Sequence, residues 1–341
     1  MSNGAAPGSK LQASPAEPGE LPGQVHLSPN QRAWRRFRKN SFAVGCAVFL
    51  AGLLGAILVW PVLAHPKVAG GMPEAVKSVL HQPDEHSDAQ FQPPSARHWF
   101  GTDVHGRDLF SRVLFGARVS LLVGAVGACV SLVIGVLWGA LAGYLGGRWD
   151  SLMMRVVDVL YSLPSIIFVI VIITTLHGVL DKLQAAGNLT PEWSRSAKFI
   201  GLFVGLGAVS WLTMARIVRG QVLTIRTRQF VDASRALGAT HTRILLRHIL
   251  PNITGIIIVY LMLLVPAIVL YESFLSYLGL GVQPPQASLG SLIADGAAQI
   301  NPVRIYWWLL VFPGAMLVST LLALNFFGDG LRDAFDPRGD R

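Results

Sequence analysis

Five histidines lie within 41 residues of one another in the N-terminal third of the chain and raise the question of a metal site. No pair has the i, i+4 spacing that places two ligands on one face of a helix, and no cysteine lies in the same segment. We therefore interpret these histidines as solvated side chains and predict that the chain binds no metal. They are His65, His81, His86, His98 and His105.

Asp158 and Glu272 stand at the edges of apolar runs, where an ionisable group is a candidate for function. In the topology described below, they lie at opposite faces of the membrane. Water at a membrane face lowers the desolvation cost of a charge, so we favour structural roles for both residues. The chain has no H-E-x-x-H, C-x-x-C or G-x-S-x-G motif, and no G-x-x-x-x-G-K-[ST] loop for phosphate. Cys46 and Cys129 lie in separate apolar runs and indicate no disulfide framework. We predict no catalytic site and no bound cofactor, so a partner must supply any driving force.

The segment 232–252, "DASRALGATHTRILLRHILPN", is polar and basic although it separates two apolar runs. Residues 226–237 can form one helix, Gly238 can stop it as a left-handed cap, and Thr240 can cap a second helix, about His241–Ile249. We expect an apolar stripe of Leu237, Ile244, Leu245 and Ile249, with Arg235, Arg243 and Arg247 away from it. Such a hairpin is longer than a connector needs to be, which favours a docking site for a soluble partner over a self-packed, solvated turn.

The elements that position this hairpin are predicted from composition. The chain is 52% hydrophobic and 14% charged, whereas a soluble domain has about 25% charged residues. Windows of about 20 uncharged residues can cross a bilayer as helices. The sequence predicts six of them, in an all-α integral membrane protein: Ser41–Ala64, Val119–Gly147, Val159–Leu180, Phe199–Ala215, His248–Tyr271 and Ile305–Gly328.

The basic residues indicate the orientation of these spans. With the N-terminus inside, 18 Lys and Arg residues lie on the cytoplasmic side and 10 outside, as the positive-inside rule requires. Both termini are then cytoplasmic, and the net charge of +9 reports topology rather than binding of nucleic acid. We expect a disordered tail over 1–31, a basic flank and first span over 32–65, an extracytoplasmic loop over 66–117, a core domain over 118–328 and a cytoplasmic tail over 329–341. The second part of the loop can form an amphipathic helix from about Asp108 that leads into the second span.

Small residues and prolines punctuate the spans. Gly135, Gly139, Gly143 and Gly147 recur every four residues, which predicts a groove for close helix packing, within the chain or against another subunit. Pro164, Pro266 and Pro313 each fall inside a predicted span, where each is expected to kink its helix.

The same hairpin resembles a known signature. Asp232-Ala233-Ser234, then Gly238, then Leu250-Pro251 is similar to the EAA motif of permease subunits of binding-protein-dependent ABC importers, with Asp for Glu and Ser for the second Ala. Three further stretches resemble the oligopeptide/dipeptide branch of these permeases, and the resemblance covers about 32–338. They are "FGTDVHGRDLFSRVLFGARVSL" (100–121), "GYLGGRWD" (143–150) and "SYLGLGVQPPQASLG" (276–290).

This resemblance implies a type I importer permease fold in a bacterial cytoplasmic membrane, moving peptides by ATP-driven alternating access. It implies two ABC ATPase subunits that bind ATP and magnesium, a second homologous permease and an extracytoplasmic substrate-binding protein. It places the ATPase contact on a coupling segment of about 220–252, within which the matching positions and their flanking arginine are Asp232, Ala233, Ser234, Arg235, Gly238, Leu250 and Pro251. The residues that touch the substrate are not indicated.

Two alternatives stay open. The outer histidines would suit a permease for nickel or another small solute of the same branch. A membrane scaffold that recruits a soluble protein through the hairpin would need no ATPase.

Overall fold

The computed structural model describes residues 29–283 and 286–335, and its regular elements are all helices. Six helices are long and apolar enough to cross a membrane, which confirms the predicted number of spans. Residues 1–28 of the predicted N-terminal tail and 336–341 of the predicted C-terminal tail lie outside the described residues. The long helices are α2 (Ser41–Leu63), α5 (Leu109–Leu145), α7 (Ser165–Ala185), α8 (Pro191–Ile225), α11 (Leu250–Tyr277) and α13 (Trp308–Phe335).

Shorter helices connect these spans. Three precede α5: α1 (Pro29–Lys39), α3 (Pro66–Ala69) and α4 (Glu74–Lys77). The others are α6 (Gly147–Tyr161), α9 (Gln229–Ala236), α10 (His241–Ile244) and α12 (Leu289–Ala298).

Several helices extend beyond the apolar windows that predict the spans. Helix α5 begins at Leu109, as predicted, where the Asp108 side chain caps it by accepting from the Ser111 N–H, so the end of the 66–117 loop is helical and continuous with the second span. Helix α13 continues to Phe335, well into the predicted 329–341 tail. Polar turns at the ends of long helices carry no hydropathy signal, so windows of uncharged residues underestimate the lengths of these helices.

The third span begins later than predicted, at Ser165 rather than Val159. Pro164 occupies its N-cap position, with the extended backbone that a residue before a helix adopts. The expected kink at Pro164 is therefore wrong, because proline without an N–H fits the start of a helix at no cost. Pro266 and Pro313 do lie inside α11 and α13.

Helices α5 and α8 pack against each other more extensively than any other pair of described helices. A Cβ added at Gly135 would lie 2.6 Å from the Cβ of Met214, and one at Gly139 would overlap the Ala215 carbonyl oxygen. Gly143 faces Val222 in the same way, at 3.0 Å from its Cβ. Because these α5 glycines have no side chains, the α5 and α8 backbones of the same chain can approach each other closely.

The predicted groove does not include Gly147. Helix α5 ends at Leu145, Gly146 breaks it with φ +67°, and Gly147 starts α6 with open space around its Cα. The four-residue spacing continues in the sequence past the point where the helix stops.

The bundle has two ends. At one, which we call the Gly238 end, the last turn of α5 meets α10, where the Tyr144 hydroxyl lies 2.8 Å from His241 Nδ1. At the other, the Asp103 end, the 66–108 segment packs on α12 and α13, and the Trp308 indole N–H donates to the Thr102 carbonyl at 3.2 Å.

Candidate docking site around Gly238

Helix α9 ends in a six-residue capping turn centred on Gly238. The Gly238 N–H donates to the Arg235 carbonyl at 2.9 Å, and the Ala239 N–H donates to the Ser234 carbonyl at 3.1 Å. Gly238 has φ +80°. This is the Schellman arrangement, whose left-handed residue is normally glycine because a Cβ is disfavoured there.

Thr240 then caps the next helix, and its hydroxyl accepts from the Arg243 N–H at 3.4 Å. The helix begins at His241 as predicted, but the predicted end at Ile249 is wrong, because α10 passes into a π-helical turn, Leu245–Ile249, and directly into α11. Pro251 has no N–H and therefore cannot donate to the Arg247 carbonyl four residues back. The N–H of the preceding residue, Leu250, donates to the Leu245 carbonyl five residues back, which is the π-helical spacing. The second arm of the hairpin is therefore the first part of the fifth span.

Most predicted docking residues are exposed. On α9, Asp232, Ala233 and Arg235 face solvent, while the Ser234 hydroxyl turns back to donate to the Phe230 carbonyl at 2.8 Å. Leu250 and Pro251 lie apart from this surface, at the start of α11.

Leu237 is the clearest departure from the predicted pattern. It was expected in the buried stripe, yet 88% of its surface is exposed. Leu237 is the last residue before Gly238, where the chain reverses, so helical periodicity no longer assigns its direction. Val231, Ile244 and Ile249 do face inward and pack with α8 residues Val218 and Val222. The helical periodicity of the sequence therefore does not predict this exposed leucine at the tip of a polar turn.

The end of α8, which leads into α9, is fixed to the bundle by polar contacts. Arg226, the residue that caps α8, donates to the Gly143 carbonyl at 3.0 Å. Arg219 of α8 forms a bidentate pair with Asp150 of α6, at 2.5 and 2.7 Å. On α9, by contrast, the Asp232–Arg235 pair is 3.5 Å apart and exposed, so it adds little. The helix that precedes α9 is thus joined to both α5 and α6.

Glu272 lies elsewhere and was misjudged from the sequence. It was expected at a hydrated interface, but its side chain is completely buried. The Ser120 hydroxyl donates to Oε2 at 2.7 Å and the Ser276 hydroxyl donates to Oε1 at 2.6 Å. The available signal was the serine four residues after Glu272, one helical turn away. Asp158 is exposed, as expected, and pairs with Arg216 at 2.7 Å.

A charged cluster orders the Asp103 end. Asp103 accepts from Arg107 at 2.8 Å and from Arg112 at 2.5 Å. Burial opposes the charge of Asp103, but backbone hydrogen bonds from Arg107 and His105 and the charges of Arg112 and Arg107 outweigh it, so the pKa of Asp103 lies below its ordinary value.

Two of the loop histidines are not solvated as predicted. His98 is buried, with Nδ1 3.0 Å from Asp108 Oδ1, and its ring stacks on His81 with centroids 4.5 Å apart. Asp108 caps α5, so this contact joins the loop to the start of the second span.

Comparisons with known proteins agree with this architecture. Residues 135–341 match the family described as "Binding-protein-dependent transport system inner membrane component", and residues 28–94 match "N-terminal TM domain of oligopeptide transport permease C". The oligopeptide transport system permease protein OppC of Escherichia coli K12 is 43% identical over 90% of this chain and 91% of its own length. The dipeptide transport system permease protein DppC of Bacillus subtilis is 41% identical over 92% and 87%, respectively.

A solved structure shares the fold. The inward-facing MetNI methionine ABC transporter contains a chain with a TM-score of 0.50 and 20% identity, and the match covers 66% of this chain and 97% of that one. Six apolar helices, the matching family and the relatives at this level of identity lead to one conclusion: the chain belongs to the inner-membrane permease family of binding-protein-dependent ABC importers.

Proposed function

We propose that this chain is the permease subunit of a peptide importer and that ATPase subunits dock on the turn around Gly238. The relatives named above are oligopeptide and dipeptide permeases, which supports peptides as the substrate class. The observation that carries the docking proposal is the turn itself: it exposes Leu237, and the helix that follows it contacts the end of α5, where His241 Nδ1 lies 2.8 Å from the Tyr144 hydroxyl.

In this proposal the chain hydrolyses nothing. ATP and magnesium bind to the two partner ATPases, and their closure moves the Gly238 turn. Because His241 contacts Tyr144 of α5, and because Arg226 and Arg219 of α8 bond to α5 and α6, the movement tilts these helices as a unit. Access to the path between two permease subunits then alternates between the faces of the membrane.

The orientation follows from the docking partner. ATPases are cytoplasmic, so the Gly238 end and both termini are assigned to the cytoplasm. The basic residues of α1, Arg35, Arg36, Arg38 and Lys39, support the same assignment. The Asp103 end then faces the substrate-binding protein, and a second homologous permease completes the path.

The test is a purification of the tagged protein with its partners from cells that carry a Gly238→Asp variant. The structure offers a matched control, since Gly187 also has positive φ, at +75°, and open space around its Cα, but it follows α7 at the opposite end. We expect wild type and Gly187→Asp to recover the ATPases and Gly238→Asp to lose them while remaining in the membrane. Equal recovery of ATPases with both variants would contradict the docking assignment.

A further inference from the structure

A groove of about 360 Å³ lies between the start of α7, the middle of α8 and the second half of α11. Its walls carry five hydroxyl groups and no charged side chain. They also carry apolar side chains, among them Phe168, Val209 and Leu264. The hydroxyl-bearing residues are Tyr161, Ser165, Ser210, Thr213 and Tyr271.

The groove lies beside the membrane-spanning part of α8. Ser210 is 19 residues from the first residue of α8 and 15 from its last. At about 1.5 Å per residue these intervals are about 28 and 22 Å, so Ser210 lies inside a hydrocarbon layer about 30 Å thick wherever that layer falls along the helix. Hydroxyls at this depth cost desolvation energy unless they find partners.

These hydroxyls have unused hydrogen-bonding capacity. Ser165 and Tyr271 are 3.4 Å apart, a long contact, and Ser210 donates to the Leu206 carbonyl of its own helix, which leaves its lone pairs free. Within residues 29–283 and 286–335, no group hydrogen-bonds to the hydroxyl of Tyr161 or Thr213. Each can both donate and accept.

We infer that this groove binds the backbone of the transported peptide, an inference that rests on the proposed function. A peptide main chain presents alternating N–H donors and C=O acceptors, each of which must be satisfied away from water. Neutral hydroxyls can serve both kinds of group without reading the charge of the peptide side chains. The volume falls within the range of about 300–1,000 Å³ of small-ligand sites.

The surroundings of the groove support a neutral ligand segment. The charged side chains at its edge neutralise each other, because Arg216 forms an ion pair with Asp158 at 2.7 Å. The Arg216 guanidinium also lies over the Tyr161 ring, at 4.1 Å from its centroid. A larger groove of about 640 Å³ beside α2 is lined almost entirely by apolar side chains and Arg118, and it offers no comparable set of neutral donors and acceptors.

The experiment removes the hydroxyls with little change of shape. The assembled wild-type transporter and a Tyr161→Phe/Ser210→Ala/Thr213→Val variant are reconstituted in vesicles with the binding protein, and uptake of an uncharged tripeptide is measured. The control is Thr174→Val/Ser319→Ala, which removes two hydroxyls that bond within their own helices, outside the groove. We expect a loss in uptake efficiency of about tenfold or more in the groove variant only, with ATPase recovery unchanged.

A second readout is chemical protection. In a Cys46→Ala/Cys129→Ala background, Thr213→Cys should react more slowly with a maleimide when the tripeptide and binding protein are present, and Thr174→Cys should not. Uptake by the groove variant equal to that of the control, or a Thr213→Cys reaction that the peptide leaves unchanged, would overturn the inference while peptide import stands. Failure of the wild-type assembly to import any peptide would instead overturn the proposed function, and this inference with it.

Discussion

The Ser120 hydroxyl of α5 donates to the Glu272 carboxyl of α11 at 2.7 Å, across 152 residues of sequence. The same Ser120 oxygen accepts from the Leu289 N–H at the start of α12, at 3.3 Å. Ser276 extends the network, since it donates to Glu272 and accepts from the Val282 N–H at 3.1 Å. The network around the buried Glu272 carboxyl thus links four elements, which are α5, α11, the connection after α11, and α12.

Replacement of Glu272 by leucine should destabilise the protein, because the hydroxyls of Ser120 and Ser276 lose their buried acceptor. Each unsatisfied group costs about 1–3 kcal/mol, so the two together should lower Tm by about 3–8 °C in a chain of this size. Glu272→Gln should cost less, because its amide can accept and donate. The measurement is thermal unfolding of the purified chain in detergent. The control is Glu192→Gln in the exposed first turn of α8, and a Glu272→Leu variant as stable as this control would refute the role of the network.

Valine at Gly139 should prevent close packing of α5 on α8. The added Cβ overlaps the Ala215 carbonyl oxygen, which belongs to helix backbone and cannot rotate away. Overpacking of this kind costs about 1–3 kcal/mol or more, so the yield of monodisperse protein and its Tm should both fall. Gly52→Val is the matched control, since Gly52 lies in the α2 span with nothing within 4 Å of its added Cβ. Equal Tm values for the two variants would show that α5 and α8 do not need this contact.

Aspartate at Leu237 should reduce ATPase binding and leave the fold intact. The side chain is 88% exposed, so the substitution removes no packing within the chain, but it places a charge at the apolar tip of the proposed docking surface. Val303→Asp is the control, because Val303 is 87% exposed in the connection between α12 and α13. We expect both variants to keep the wild-type Tm and only Leu237→Asp to recover less ATPase. Normal recovery would remove Leu237 from the interface.

Acid should loosen the Asp103 end. The pKa of Asp103 is lower in the folded protein than in the unfolded chain, so its ionised form contributes stability above the unfolded value of about 3.9. That contribution is lost as the pH falls through the folded pKa. Tm measured against pH should decline over this acidic range in wild type, and Asp103→Asn should show a lower Tm at neutral pH and a weaker decline. Asp84→Asn is the control, because Asp84 is exposed in the same outer segment. The same decline in Asp103→Asn as in wild type would show that another group titrates.

The sequence by itself determined the number of spans, the left-handed turn at Gly238 and the family. Each depends on local information: about 20 uncharged residues form a span, glycine after α9 permits positive φ, and the motifs are contiguous. The helix ends were less well determined, because a capping residue such as Pro164 is indistinguishable by composition from a kink.

The tertiary structure decided what each polar or apolar side chain faces. Glu272 is buried rather than hydrated because serines from α5 and α11 converge on it, and that convergence depends on how the helices pack. Leu237 is exposed because the chain reverses direction beside it. The hydroxyl groove combines residues from α6, α7, α8 and α11, and no periodicity within a single helix reports which neighbour its polar face meets.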